Sequence, residues 1–355
     1  MTEEMIEQVL PTATGFAAKE AIEVLRKHHV AIAPLLRRAG LSEHDLAQAE
    51  YDGSPTSHRV SAVAQVKFLD YAAEAMNDST FGLHVVEQAD PHDTGIYFYL
   101  ASAAKDIDEA LALYARYFRI VNEGARLKLT RKPNGVAVEI EFVGLPRHLA
   151  QQTAEFGMAA LLKGLRVVAG RSIHPTRVSF AHMRRSGARE FERFYGCPVE
   201  FGASSDLFEF SDDSLAIPLL TADPKLLKAL EPFAATAAKE RNTAAGTLRA
   251  AVENEVEKLL PHGKAKAQTV AKALALSLRT LSRRLADEGT TYADIVDDLR
   301  RTLALQYLKD PAISLSQIAW LLGYEGSTSF NHAFKRWTGR SPTIARNEKR
   351  LPAPK

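Results

Sequence analysis

Residues 313–342 restrict the fold of this chain more than any other stretch, because they read as helix, tight turn, helix and stop. Ile318, Leu321 and Leu322 recur at helical spacing and form an apolar stripe on one face. Gly323 stands where a helix ends in a left-handed residue. Ser327 or Thr328 is expected to cap a second helix, with Phe330, Phe334 and Trp337 on its inward side. The opposite face carries Thr328, Ser329, Asn331, His332, Lys335 and Arg336, which are hydrogen-bonding and cationic groups. Gly339 and Pro342 are expected to stop this helix. Two short helices at a sharp angle, the second polar and basic on its free face, form a layout that sets a helix in a DNA groove. Two amphipathic helices around a glycine also occur in helical proteins with no such role, so the assignment needs further support.

The pattern occurs twice. In 269–289, Val270, Ala271 and Leu274 line one helix, Leu276 and Ser277 form the turn, and Ser277 is a good N-cap. Leu278, Leu281 and Leu285 are expected to be the buried side of the next helix, leaving Arg279, Thr280, Ser282 and Arg283 outside. Arg279 and Arg283 lie one helical turn apart and can face one groove. Between the repeats, Ile295, Val296, Leu299, Leu303, Tyr307 and Leu308 keep near-helical spacing over 292–308. A helix of about 17 residues is roughly 25 Å long. Such a spacer suits two reading helices set about one turn of DNA apart.

Charge divides along the same line. The chain is nearly neutral at +2, yet residues 262–355 hold 16 Lys and Arg against 8 Asp and Glu, and the rest holds 29 against 35. A basic last quarter on an acidic body fits a phosphate-binding module joined to one that meets no phosphate, although an ordinary solvated basic face gives the same sum.

The C-terminal hundred residues resemble the DNA-binding domain of the AraC/XylS family of bacterial transcription regulators. The likeness is carried by Ile318, Ala319, Gly323, Tyr324, Phe330, Phe334, Lys335, Gly339, Ser341 and Pro342 in the family's order. The family's serine before the first phenylalanine is offset or duplicated, since Ser327 and Ser329 are both present. The resemblance implies that the outer faces of both second helices meet DNA, here Arg279, Thr280, Ser282 and Arg283, then Thr328, Asn331, His332 and Lys335. The chemistry agrees, because arginine pairs bidentately with guanine and asparagine with adenine. Ser277, Ser327 and Arg336 are expected to hold phosphates, which fix register without reading sequence. Trp320 is expected to pack in the core.

Length argues for at least two domains. Residues 15–240 read as an α+β domain and 247–350 as an all-α domain, with helix-turn-helix motifs at 269–289 and 313–339 joined by a linker helix. Helical patterns fall at 15–28, 31–39, 60–76, 106–120, 147–169 and 187–195, and resume from about 223 to 240 and at 247–260. The segment 125–143 reads as a hairpin turning at Pro133-Asn134-Gly135. Further strands are expected at 176–182, 198–202 and 206–210. The Ala-rich stretch 233–248 reads as the passage between the domains.

This front domain resembles the arabinose-binding-like effector domain of one branch of the family. His174-Pro175, Val178, Phe180 and His182 carry the likeness, followed by Phe191, Phe194 and the run Tyr195-Gly196-Cys197-Pro198-Val199, then Phe201-Gly202. The resemblance implies a small-molecule effector sensor and does not name the effector. Tyr97, Tyr99, Tyr114 and Phe118 (with Tyr117) are candidates for lining an effector pocket, plain packing being the other reading. Leu226, Leu227, Leu230 and Phe233 form a stripe suited to homodimerisation or to internal core.

No HExxH, GxSxG, phosphate-cradling GxxxxGK, or GxGxxG after a strand is present, so no enzyme chemistry and no cofactor is implied. The His28-His29 pair points two ways along a helix and makes no metal site. The single cysteine, Cys197, forms no intrachain disulfide and no zinc site alone; it reads as a small buried residue, or as a redox sensor. No apolar run reaches membrane length, and MTEEMIEQVL lacks a signal-peptide layout, which points to a cytoplasmic protein. The partners expected are double-stranded DNA, RNA polymerase, a small effector and a second copy of the chain. A signal arriving from a protein partner, in place of a small ligand, is the alternative.

Overall fold

A computed structural model of the chain describes residues 11–48, 59–184, 186–241 and 247–348. The acidic N-terminal stretch and residues 242–246 of the Ala-rich passage lie outside them. The chain divides into two units. One comprises Met1–Leu145, Leu149–His182 and Gly187–Gly246; the other comprises Pro146–His148, Met183–Ser186 and Thr247–Lys355.

The front unit opens with β1 (Thr12–Ala13), which pairs antiparallel with β2 (Val60–Ser61). Helices α1 (Phe16–Lys27), α2 (Ile32–Ala39) and α3 (Glu43–Gln48) precede β2, and α4 (Ala62–Met76), α5 (Phe81–Gln88), α6 (Ile96–Ser102) and α7 (Ile107–Tyr117) follow it. Local chemistry sets several ends. Ser61 caps α4 by accepting from the Ala64 N–H, and left-handed Asn77 closes it. Asp106 caps α7 by accepting from the Glu109 N–H at 2.9 Å. The helical pattern of 106–120 ends at Tyr117, and Phe118–Ile120 tighten into a 3-10 turn.

A five-stranded sheet follows, built from β3 (Ala125–Lys132), β4 (Gly135–Phe142), β5 (Arg177–Phe180), β6 (Val199–Phe201) and β7 (Asp206–Ser211) in the order β3-β4-β7-β5-β6. All pairings are antiparallel except β5 with β6. The hairpin forms where the sequence places it, but Lys132 pairs with Gly135, so Pro133 and Asn134 alone make the loop. Gly135 belongs to the strand, with φ of 153°, and a Cβ there would strike the Phe210 carbonyl of β7. The glycine is needed for close approach of two strands, not for the turn itself. Helix α8 (Gln151–Ala169) crosses between β4 and β5, and begins later than the sequence pattern from 147 suggests. α9 (Ala188–Tyr195), α10 (Asp212–Leu215) and α11 (Pro224–Glu240) complete the unit. Phe68, Phe81, Phe180, Phe191, Tyr195 and Phe208 are fully buried in its core.

The second unit holds α12 (Leu248–Leu259), α13 (Ala267–Ala273), α14 (Leu278–Asp287), α15 (Tyr292–Tyr307), α16 (Leu315–Leu321), α17 (Ser327–Thr338) and α18 (Pro342–Glu348). Its core joins Val252 and Val256 of α12 to Val270, Leu281, Leu285, Ile295, Leu299, Leu303, Ile318, Leu322, Phe330 and Phe334. Pro342 does more than stop a helix. It opens α18, as suits a residue with φ already fixed and no N–H to satisfy. No helix among the described residues is long and apolar enough to cross a membrane.

Candidate nucleic-acid interface

The first helix pair is α13 with α14. Ser277 stands at the N-cap of α14 and accepts from the Thr280 N–H at 3.1 Å, with the two hydroxyls 2.8 Å apart. The turn before it passes through Ala275, which is left-handed at φ 54°. Leu281 and Leu285 face inward and are buried, while Arg279, Ser282 and Arg283 are exposed. Thr280 is half-buried and tied to the cap. Leu278 departs from the sequence reading: it is 47% exposed. It lies in the first turn of α14, past the edge of the small core that Leu281 and Leu285 reach.

The second pair is α16 with α17. Ser314 and Gln317 form a capping box at the start of α16. Gly323 follows with φ of 74°, and a Cβ there would lie 2.6 Å from the Leu260 carbonyl oxygen, so both backbone angle and space require glycine. Neither Ser327 nor Thr328 caps α17; Gly326 occupies the cap without a side-chain bond, and Ser327 is the first helical residue. Phe330 and Phe334 are fully buried with ring centroids 5.7 Å apart, and Trp337 is half-buried. Thr328, Asn331, His332, Lys335 and Arg336 all lie exposed, and Ser327 is half-buried. Arg336 donates to Asp297 of α15 at 2.7 Å, an exposed pair that a phosphate would have to displace. Trp320 is 56% exposed on α16, so the expected core role is wrong: the inward face of this short helix is already filled by Ile318, Ala319 and Leu321.

One positioning residue is not signalled by the helix-turn-helix pattern. Arg300 of α15 donates from Nε to the Leu322 carbonyl at 3.0 Å, and its guanidinium lies 4.8 Å from the Tyr324 ring centre. It ties the linker helix to the turn of the second pair across 22 residues of chain.

The front unit contains a cavity of about 120 Å³. Tyr97, Tyr114 and Phe118 line it, with Phe16, Phe156 and Ile140. Tyr99 is not among the lining residues and is 45% exposed. Burial raises the pKa of Tyr97 and Tyr114, so both phenols stay neutral. Cys197 is half-buried, and burial also pushes its thiol up, away from the reactive thiolate. No group of three or more His, Cys, Asp or Glu side chains suited to a metal ion occurs among the described residues.

Known proteins share this plan. The N-terminal arabinose-binding domain of AraC transcription regulators matches residues 30–219, and a helix-turn-helix domain matches 270–348. The chain is 27% identical over 308 residues to the ornithine utilization regulator of Pseudomonas aeruginosa, covering 83% of this chain and 89% of that protein. It is 28% identical over 287 residues to the HTH-type transcriptional regulator VirS of Mycobacterium tuberculosis, covering 80% and 83%. The crystal structure of the transcriptional regulator CdpR from Pseudomonas aeruginosa aligns over 94% of this chain and 98% of its own, at 22% identity and a TM-score of 0.44. The first domain match spans over half of the 355 residues, and the chain belongs to the AraC family of transcription regulators, with a helix-turn-helix DNA-binding domain.

Proposed function

We propose that this regulator is a cytoplasmic transcription activator that reads a direct-repeat site through α14 and α17 in response to a small-molecule effector. The observation that carries the reading is the pairing of two similar helices, each buried on its apolar side and exposing cationic or hydrogen-bonding groups on the other. Arg279 and Arg283 suit guanine, and Asn331 suits adenine. Thr280, Ser282, Thr328, His332 and Lys335 flank them, while Ser277, Ser327 and Arg336 hold phosphates. Effector binding in the front unit shifts a population between arrangements that do and do not engage both half-sites, or that reach RNA polymerase. The chain acts as a homodimer.

The test is recovery of genomic fragments by the purified full-length protein at two salt concentrations, followed by sequencing. Enriched fragments sharing a direct repeat spaced by about one helical turn are the expected result. Recovery that is diffuse and vanishes at higher salt would reduce the interaction to phosphate attraction and defeat the reading. Reporter expression from the recovered sites then fixes the sign of regulation.

A further inference from the structure

The free face of α14 carries one large side chain that hydrogen bonding does not account for. Arg279, Ser282 and Arg283 are exposed there and can bond to base edges or phosphates. Leu278, the first residue of the helix, is 47% exposed beside them. Its turn is held in place, because the Ser277 hydroxyl accepts from the Thr280 N–H at 3.1 Å. The other leucines of this helix pair are covered. Leu281 and Leu285 are buried, and Leu274 and Leu276 are half-buried and packed on the core. A single exposed leucine needs no explanation on an ordinary surface. This one stands in the first turn of the second helix of a helix-turn-helix, the part of such a helix that reaches base edges.

The leucine is peculiar to the first pair. Aligning the two pairs on their inward residues sets Leu281 and Leu285 against Phe330 and Phe334, and the cap Ser277 against the cap Gly326. Leu278 then falls opposite Ser327, Arg279 opposite Thr328, and Ser282 opposite Asn331. Where α17 begins with a hydroxyl, α14 begins with an apolar group. Phosphates and sugars give such a group no partner. In the major groove the base edges present hydrogen-bond donors and acceptors, and one apolar group, the C5 methyl of thymine. Leucine pressed on a donor or acceptor would strip it of water and return nothing. Leucine pressed on a methyl removes apolar surface from water on both sides.

We infer that Leu278 is a further specificity-determining residue, which packs on the C5 methyl of a thymine in the half-site met by α14. This rests on the base-reading role proposed above for α14 and deepens it. Leu278 and Arg279 are consecutive, so their Cα atoms stand about 3.8 Å apart, close to one base step of about 3.4 Å. The thymine therefore lies within about two base pairs of the position that Arg279 reads. The half-site met by α17 has no such dependence, because Ser327 stands in place of the leucine.

The experiment selects sites for the full-length protein from random-sequence duplexes, then replaces each thymine of the selected site by uracil, one at a time. Uracil keeps the base pair and the O4 acceptor and lacks the methyl alone. At one thymine the affinity of the parent is expected to fall about three- to fivefold, the effect of losing one buried methyl-sized group. Leu278→Ala should bind the thymine and uracil duplexes equally, at about the affinity of the parent for the uracil form. Leu278→Met, apolar and similar in volume, should keep the dependence. Both variants should melt as the parent does, since they change an exposed side chain. A parent that tolerates uracil at every thymine, or a Leu278→Ala protein with an undiminished uracil penalty, would overturn the inference and leave α14 as a reading helix. So would a sensitive thymine more than about two base pairs from the position at which Arg279→Ala relaxes preference. If no sequence is selected, or if Arg279→Ala changes preference nowhere, the reading of α14 itself fails, and the inference falls with it.

Discussion

Phe334 and Asn331 stand three positions apart on one helix and give opposite mutational signatures. Phe334 is fully buried against Phe330, so Phe334→Ala leaves a cavity and should cost about 3–5 kcal/mol of stability in the second unit. DNA affinity should fall with it at every sequence, because the helix is no longer held. Asn331 is exposed and packs nothing, so Asn331→Ala should leave the melting temperature alone. It should weaken DNA binding by about 1–3 kcal/mol and relax preference at one base position, and Arg279→Ala should do the same at another. Melting curves and binding to a panel of single-base operator variants separate the two behaviours. A Phe334→Ala protein that melts like its parent, or an Asn331→Ala protein with unaltered base preference, removes the corresponding assignment. The inward phenylalanines were legible because their four-residue spacing matches a helical turn. Leu278 and Trp320 were not, since spacing gives the face of a residue but not whether the core extends far enough to cover it.

Elements show the same division between pattern and context. The hairpin, α4 and α15 carry their signals locally: a Pro133-Asn134-Gly135 run between alternating segments, and apolar residues at helical spacing. Helices α5 and α6 do not. Residues 96–102, Ile-Tyr-Phe-Tyr-Leu-Ala-Ser, are rich in side chains that favour strands, and packing makes them a helix with Tyr97, Phe98 and Leu100 buried. Helix α11 reads correctly as a stripe, but the structure splits it. Leu227 and Leu230 pack on the front core, whereas Leu226 and Phe233 are 40% and 68% exposed. The exposed pair lies two turns apart on one face, next to exposed Ala229, and is the part available to a second copy. Phe233→Glu should therefore convert the full-length protein from dimer to monomer at tens of micromolar without lowering its melting temperature below that of a monomer. Sedimentation equilibrium decides this. A parent protein that is already monomeric, or a variant that remains dimeric, excludes this face.

At the scale of the whole molecule, the charge split was legible because sums need no geometry, while titration depends on residues that only the fold brings together. His84 is bracketed by Asp78 at 2.6 Å and by Glu190 at 3.2 Å, the latter over a hundred residues away. Burial pulls its pKa down, but the hydrogen bond and charge of Asp78, aided by Glu190 and Glu87, outweigh this and raise it. Glu20 is raised to about 7 by burial, with Asp93, Glu23 and Asp90 adding and Lys163 opposing. Both groups hold a proton more tightly in the folded state. Their contribution is therefore fully present at low pH and lost as pH rises, for Glu20 between 4.5 and about 7, and for His84 from 6.5 through its raised value. His148, assigned to the second unit, runs the other way: burial, with the Arg249 charge, lowers it to about 4, so its contribution is present above 6.5 and lost as pH falls toward 4. Melting of full-length variants against pH should show this opposition. Glu20→Gln should gain on its parent between pH about 5 and 8, His84→Gln should lose most at the acidic end, and His148→Gln should lose most at the alkaline end. A Glu20→Gln difference that stays constant across that range would mean the carboxyl titrates as it does in water, and half-buried Glu20 with its exposed acidic neighbours would have no part in the pH dependence of the front unit.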